Sequence, residues 1–238
     1  MNDSPIWVIL GATSIIAEKF AHIVAAKGLP LLLVGRHRQQ LELIQADIGI
    51  RYKSACEFYI WDSSESSEIF ISYLEKLNRP ISLLIAYSAQ VNNSELTTQT
   101  IQSLVQVNIT SVVQISHYYL NKPQASHQLI FLSSVAGCRG RAKNSLYGAS
   151  KKAIETYLTG YQQHASITQT ITIMTLGFID THQTYGVTPF AASPKACAKK
   201  CWQALNRGKR HVFYPFFWRY IMKLIAWLPF VIYRKLKF

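Results

Sequence analysis

Residues 6–17 read Ile-Trp-Val-Ile-Leu-Gly-Ala-Thr-Ser-Ile-Ile-Ala, an apolar run that meets a glycine and passes into a helical pattern. Five apolar residues closed by a turn residue read as a strand buried on both faces, the condition of strands in a parallel sheet. The turn that follows has to expose backbone N–H groups beside a helix N-terminus, and that pairing suits a pyrophosphate. Gly11, Thr13, Ser14, Ile15 and Ile16 are therefore candidate phosphate-contacting positions. A plain helix cap at Thr13 or Ser14 is the competing reading of the same residues.

Outward from this stretch, apolar runs at 29–34, 58–61, 81–86, 129–132 and 171–176 alternate with helical periodicity at 15–27, 40–47, 65–77, 96–120 and 147–164. Such alternation builds a parallel sheet covered on both faces, and every crossover is long enough for a right-handed connection. The expected fold is α/β, a doubly wound parallel sheet of the Rossmann type, finished by a short seventh strand at 211–214. A chain of 238 residues buries one sizeable core. One domain is expected over 1–210, followed by a distinct C-terminal segment over 211–238. The N-terminus enters its first strand within five residues and lacks the basic start and apolar core of an exported protein, which points to the cytoplasm. Cys56, Cys138, Cys197 and Cys201 are irregularly spaced, with no histidine or second cysteine pair near Cys197 and Cys201. They read as reduced thiols, and no metal site is expected.

Tyr147 and Lys151 stand four residues apart on one helical stretch, 13 residues after Ser134 closes an apolar strand. A tyrosine serves as a general acid near neutral pH when a neighbouring cation lowers its pKa from about 10, and a lysine one turn later shares its helix face. A serine hydroxyl at the strand end can hydrogen-bond the substrate oxygen that the tyrosine protonates. Polarisation and proton delivery then converge on one atom, which is the requirement for hydride transfer at a carbonyl.

The glycine turn after the first strand, the Ser133-Ser134 strand end and Tyr-Gly-Ala-Ser-Lys-Lys at 147–152 together resemble the short-chain dehydrogenase/reductase family from residue 6 to about residue 208. The resemblance implies a catalytic set of Asn108, Ser134, Tyr147 and Lys151, with Lys151 also holding the nicotinamide ribose. Ile15 and Ala17 occupy two positions that are glycine in the family, so phosphates approach the loop less closely. Where an NAD enzyme has an acid at the end of the second strand, this chain has Gly35-Arg36-His37-Arg38. Arg36, and with it Arg38, is suited to the 2′-phosphate of NADPH, and NADH is the less favoured cofactor. By the same resemblance Asp62 lies beside the adenine, and the backbone carbonyl of Asn108 holds a water next to the lysine. Ala86-Tyr87-Ser88-Ala89-Gln90 stands where the family has Asn-Asn-Ala-Gly, of which only Ala89 survives, and Ser88 and Ala89 are the cofactor contacts implied. Leu176-Gly177 stands for the family's Pro-Gly, with Gly177 kept as a cofactor contact. Ile179-Asp180-Thr181 matches the positions that meet the nicotinamide amide and pyrophosphate, with Ile179 and Thr181 as the contacts, and 182–193 is expected to form a substrate flap. Family members are commonly dimers or tetramers, so a homodimer or homotetramer is implied.

The 58 residues after Asp180 contain eleven Lys or Arg and no Asp or Glu, whereas residues 1–180 carry fourteen basic against twelve acidic side chains. The net charge of +13 is therefore a local device rather than a solubility average. Residues 213–233 interleave aromatics with Arg219 and Lys223, and Arg234, Lys235 and Lys237 follow or close the run. Helices of this kind prefer the headgroup boundary of an anionic bilayer. Two charges and two prolines interrupt the run, so it is read as lying on the inner face of the cytoplasmic membrane rather than crossing it. Nucleic acid is disfavoured, because the bulky aliphatics between the charges cost more exposed than base stacking returns. Packing on a sister subunit is the alternative. Together with Ser-Ser-Val-Ala-Gly-Cys-Arg-Gly-Arg at 133–141, the tail looks most like the bacterial branch that includes decaprenylphosphoryl-2-ketoribose reductases. That likeness implies reduction of a lipid-linked keto-sugar or another amphiphilic ketone, with Arg139 and Arg141 near a lipid phosphate. Reduction of acyl or steroid ketones is one alternative, and a non-catalytic nucleotide-binding scaffold with a degenerate loop is another.

Overall fold

The computed structural model describes residues 4–180 and 191–236. Seven strands, β1 (Ile6–Leu10), β2 (Leu31–Gly35), β3 (Cys56–Ile60), β4 (Ile81–Ile85), β5 (His127–Ser134), β6 (Gln169–Leu176) and β7 (His211–Tyr214), form one parallel sheet in the order β3-β2-β1-β4-β5-β6-β7. The helices are α1 (Ile15–Ala25), α2 (Arg38–Tyr52), α3 (Ser67–Lys76), α4 (Thr98–Val105), α5 (Ser111–Asn121), α6 (Ser145–His164), α7 (Pro194–Asn206), α8 (Trp218–Trp227) and α9 (Phe230–Tyr233). The strand order reverses between β1 and β4, and that switch point opens a crevice at the carboxyl ends of the strands.

Every residue of β1 is buried, as its unbroken apolar run requires, and alternate side chains serve opposite faces. Trp7 and Ile9 join a core with α1, α2 and α7, in which Trp7 meets Phe20 edge-on at 5.1 Å. Val8 and Leu10 join the opposite core with Phe70, Ile115, Tyr119 and Leu158. On α1 the buried positions Ile16, Ala17, Phe20, Ala21 and Val24 repeat with helical period, so burial of one apolar stripe holds the helix to the sheet.

Three expectations are adjusted. The helix expected at 40–47 spans Arg38–Tyr52, because only Leu41 and Ile48 are buried and the ends carry no apolar signal. The single helix expected at 96–120 is divided by a π-helical turn, Gln106–Thr110, between α4 and α5. Finally β7 pairs with β6, so the sheet's unit reaches Tyr214 and the segment distinct from it begins at Pro215 rather than at 211.

Candidate active site

At the switch point a cavity of about 830 Å³ is lined by Gly11, Thr13, Ser14 and Ile15 from the first turn, by Arg36 and Asp62 from the ends of β2 and β3, and by Ser88 and Ala89 after β4. Gly11 has φ +75 and lies so near the next crossing that a Cβ would stand 2.8 Å from the Tyr87 nitrogen, so only glycine makes this turn. Ser14 occupies the N-cap of α1 without a side-chain cap hydrogen bond, which leaves the first N–H groups of the helix for an outside acceptor. The cap reading of Ser14 is thereby set aside. A cleft with an uncapped helix N-terminus at one wall and a guanidinium at the far rim fits a nicotinamide dinucleotide, although Ile15 narrows the wall.

Arg36 pairs with Asp62 at 3.6 Å. Burial pushes the Asp62 carboxyl up, but hydrogen bonds from Ser64 and the Arg36 charge outweigh it and hold the group below the usual carboxylate range. Arg38, expected as a second phosphate contact, turns away: its guanidinium reaches Glu42 at 3.5 Å and lies 5.6 Å over the Phe58 ring. The Ile16 side chain is in the core with α1's buried stripe, while Ile15 lines the cleft.

Ser134, Tyr147 and Lys151, expected to be catalytic, lie on β5 and α6, outside the lining of this cavity. Ser134 ends β5, and its hydroxyl accepts from the Ala136 N–H at 3.2 Å, which fixes the short turn 135–138. Gly148 lets α6 approach that turn, for a Cβ there would stand 2.4 Å from the Ala136 carbonyl oxygen. Tyr147 is thereby held against the strand end. Burial raises its pKa, while hydrogen bonds with Ser134 and Ser88 and the Arg141 charge pull the other way. The expectation that Lys151 lowers this pKa is corrected: the lysine donates to the Leu132 carbonyl at 2.9 Å and lies 5.8 Å from the Tyr147 ring centre. Lys151 is itself buried, and desolvation lowers its pKa to about 8 against the opposing charge of Glu155.

Asn108 is buried in the π-helical turn, and its side chain works as a clamp. Its Oδ1 accepts from the Ala89 N–H at 2.7 Å, and its Nδ2 donates to the Ala89 carbonyl at 2.8 Å and to Ser150 Oγ at 3.0 Å. Ser150 in turn donates to the Tyr147 carbonyl at 2.8 Å. One asparagine thus ties the cleft wall at Ala89 to the first turns of α6. Tyr87, which the sequence reading did not single out, anchors the same region through a 2.8 Å hydrogen bond with Ser111, whose hydroxyl donates to Val107.

Gly177 does not line the cleft. It lies under Trp218, whose ring a Cβ at Gly177 would strike at 2.1 Å, and Phe178 meets the same tryptophan edge-on at 5.3 Å. Ile179 is buried and pairs with Ala192, while Thr181 and most of the expected flap fall outside the described residues. Arg139, expected at a lipid phosphate, instead donates to the Ile225 carbonyl and, at 3.0 Å, to the Leu228 carbonyl at the end of α8. Among the described residues no helix is long and apolar enough to cross a membrane.

The family model for short chain dehydrogenase matches residues 5–190, and the chain belongs to that family. The family is one of oxidoreductases of the CH–OH/C=O pair. The chain is 25% identical over 168 residues to hydroxysteroid dehydrogenase-like protein 1 of Gallus gallus, a match covering 67% of this chain and 51% of that relative, so the chain spans about half the relative's length. It is 26% identical over 186 residues to an uncharacterized oxidoreductase of Staphylococcus epidermidis, covering 75% of this chain and 80% of the other. A short-chain dehydrogenase from Sphingobium yanoikuyae, solved in complex with NADPH, superposes with a TM-score of 0.77 at 17% identity over 94% of this chain and 96% of that one.

Proposed function

We propose that this protein is an NADPH-dependent reductase that converts the ketone of an amphiphilic substrate to a secondary alcohol. The observation that carries the reading is the placement of Tyr147 and Lys151 on α6, packed through Gly148 on the turn that follows Ser134 and tied through Ser150 and Asn108 to the cleft wall at Ala89. When bound, the reduced dinucleotide supplies the hydride. Tyr147 donates its phenolic proton to the carbonyl oxygen, so the C=O bond becomes CH–OH. A tyrosine with a raised pKa is protonated across the neutral range, as a proton donor must be. Ser134 orients the substrate oxygen, and Lys151, one turn after Tyr147, would hold the nicotinamide ribose of a bound dinucleotide. Asn108 holds Ala89 and Tyr147 in register.

For the substrate, a lipid-linked keto-sugar of the decaprenylphosphoryl-2-ketoribose type is the leading class, supported by the aromatic and basic segment beside Ser134 and Gly177. Arg139 is engaged with α8 and is no longer assigned to the lipid phosphate. The second reading is an acyl or steroid-like ketone, favoured by the identity shared with hydroxysteroid dehydrogenase-like protein 1. A non-catalytic scaffold is the least favoured reading, because Ser134, Tyr147 and Lys151 are all present and in contact range. The test is fluorescence titration with NADPH and NADH, followed by turnover of Tyr147→Phe on detergent-dispersed ketones and sugar-phosphate lipids. Tight NADPH binding, retained by the variant, with turnover reduced about 10²–10⁴-fold is expected. Near-normal turnover of the variant would remove Tyr147 as the donor, and failure to bind either cofactor would favour the scaffold.

A further inference from the structure

The segment after β7 folds back on the catalytic end of the molecule with its two sides differently composed. On α8 the inner row is Trp218, Met222 and Ile225, of which Met222 is buried and Trp218 covers Gly177. The outer row, Tyr220, Leu224 and Trp227, follows the i, i+4, i+7 spacing of a single helix face. Phe216 before the helix and Phe230 after it are exposed as well. Leu224 is 68% exposed, Phe216 74%, Phe230 71% and Trp227 81%. Beside this row, Arg219 and Lys223 occupy the adjoining helix face, and Arg234 and Lys235 are exposed just beyond α9.

We propose that residues 215–236 are a docking face that seats the carboxyl end of the sheet on an anionic bilayer. The proposal rests on the amphiphilic-substrate reading and deepens it by saying from which side such a substrate arrives. A contiguous apolar ridge this exposed is costly in water, and its cationic border is the composition of a helix lying in the headgroup region. The alternative cover, a second copy, is disfavoured by charge. Residues 181–238 contain eleven Lys or Arg and no Asp or Glu, so a two-fold contact through this face would bring like charges together, whereas an anionic surface complements them.

The ridge is also held in place before it meets anything. Arg139, in the loop after Ser134, donates to the Leu228 carbonyl at the C-cap of α8 and to the Ile225 carbonyl, which it shares with the Leu228 N–H. The same guanidinium lies 3.7 Å from the Tyr233 ring centre, and the Tyr233 hydroxyl donates to the Gly140 carbonyl. The segment that would enter the headgroups is thus tied to the loop that follows the catalytic serine. Docking therefore brings the bilayer to the substrate side of the enzyme, where a lipid-anchored ketone can reach Tyr147 without leaving the membrane entirely.

The test is co-sedimentation of the full chain with phosphatidylcholine vesicles, with and without phosphatidylglycerol, compared with the double variant Leu224→Glu, Trp227→Glu. Both positions are exposed, and NADPH titration of each protein reports an intact fold. The expected result is binding to the anionic vesicles that weakens with salt, and at least a tenfold loss in the variant with NADPH affinity unchanged. Equal sedimentation of variant and parent, or no sedimentation of the parent, overturns the proposal. So does a parent that stays off vesicles and sediments as a dimer that the variant breaks, because the ridge is then a subunit contact. Vesicle binding by a protein that reduces no amphiphilic ketone supports the docking face and removes the substrate reading.

Discussion

The Arg36 side chain is two-thirds exposed, and its ion pair with Asp62 at 3.6 Å is of the kind that contributes about 0–1 kcal/mol. Exchanging that partner for a phosphate costs little, and charge-assisted bonds to a doubly charged group return more. Arg36→Ala is therefore expected to raise the dissociation constant for NADPH at least tenfold and to leave that for NADH within about twofold. An equal loss for both cofactors would mean that Arg36 supports the cleft and does not read the 2′-phosphate. The placement of single residues was readable from sequence where type and spacing go together, as at Ser134, Tyr147 and Lys151, which stand at the end of β5 and on the first turns of α6. It was less readable where direction decides, because neighbours on a helix point about 100° apart. That is why Ile15 lines the cleft while Ile16 is in the core, and why Arg36 stays at the rim while Arg38 turns to Glu42. Gly177 was misjudged for a different reason: its cover, Trp218, lies 41 residues later in the chain.

Among the elements, the π-helical turn between α4 and α5 gives Asn108 its role. An apolar period of 3.6 cannot reveal a local shift to five-residue hydrogen bonding, so the stretch reads as one helix from sequence. The shift puts Asn108 where its side chain satisfies both backbone groups of Ala89 and reaches Ser150. Asn108→Ala leaves the Ala89 N–H and carbonyl without that partner, at about 1–3 kcal/mol for each group left buried and unpaired. A loss of roughly 2–4 kcal/mol is expected in urea unfolding, with a lower midpoint and an unchanged slope. Turnover should fall with it, since the clamp also sets the start of α6. A stability change under about 0.5 kcal/mol would show that water or a rearranged loop replaces the amide, and the clamp would lose its importance. The close approach of α6 at Gly148 is the second device at this scale, and the sequence shows only the glycine, not the carbonyl of Ala136 that requires it.

For the molecule as a whole, strand order and layer arrangement followed from alternation alone, because long crossovers between buried parallel strands leave few topologies. The tail followed only in part: its charge and aromaticity were plain, while the burial of Met222 and the seating of Trp218 on Gly177 depend on a sheet end that the sequence does not display. Folding of the whole also carries a charge that the sequence places without pricing its burial. Lys151 is buried, with a pKa of about 8 in the folded protein against an ordinary 10.5. Between those values the unfolded chain holds more protons than the folded one, so this group makes stability rise with pH. Its penalty is fully present below about 8 and relieved by about 10.5, on the order of 3 kcal/mol in all. Buried tyrosines such as Tyr87 and Tyr119, whose pKa values are raised by desolvation, act in the opposite sense above pH 10 and obscure the effect in the parent alone. The measurement is therefore a difference: urea unfolding of the cofactor-free protein and of Lys151→Met at pH values from 7 to 10.5. The parent should gain on the variant by on the order of 3 kcal/mol across pH 8–10.5, whatever fixed offset the lost bond to Leu132 introduces. A difference that stays flat would mean that Lys151 keeps its charge, and with it the means to influence Tyr147, far into the alkaline range.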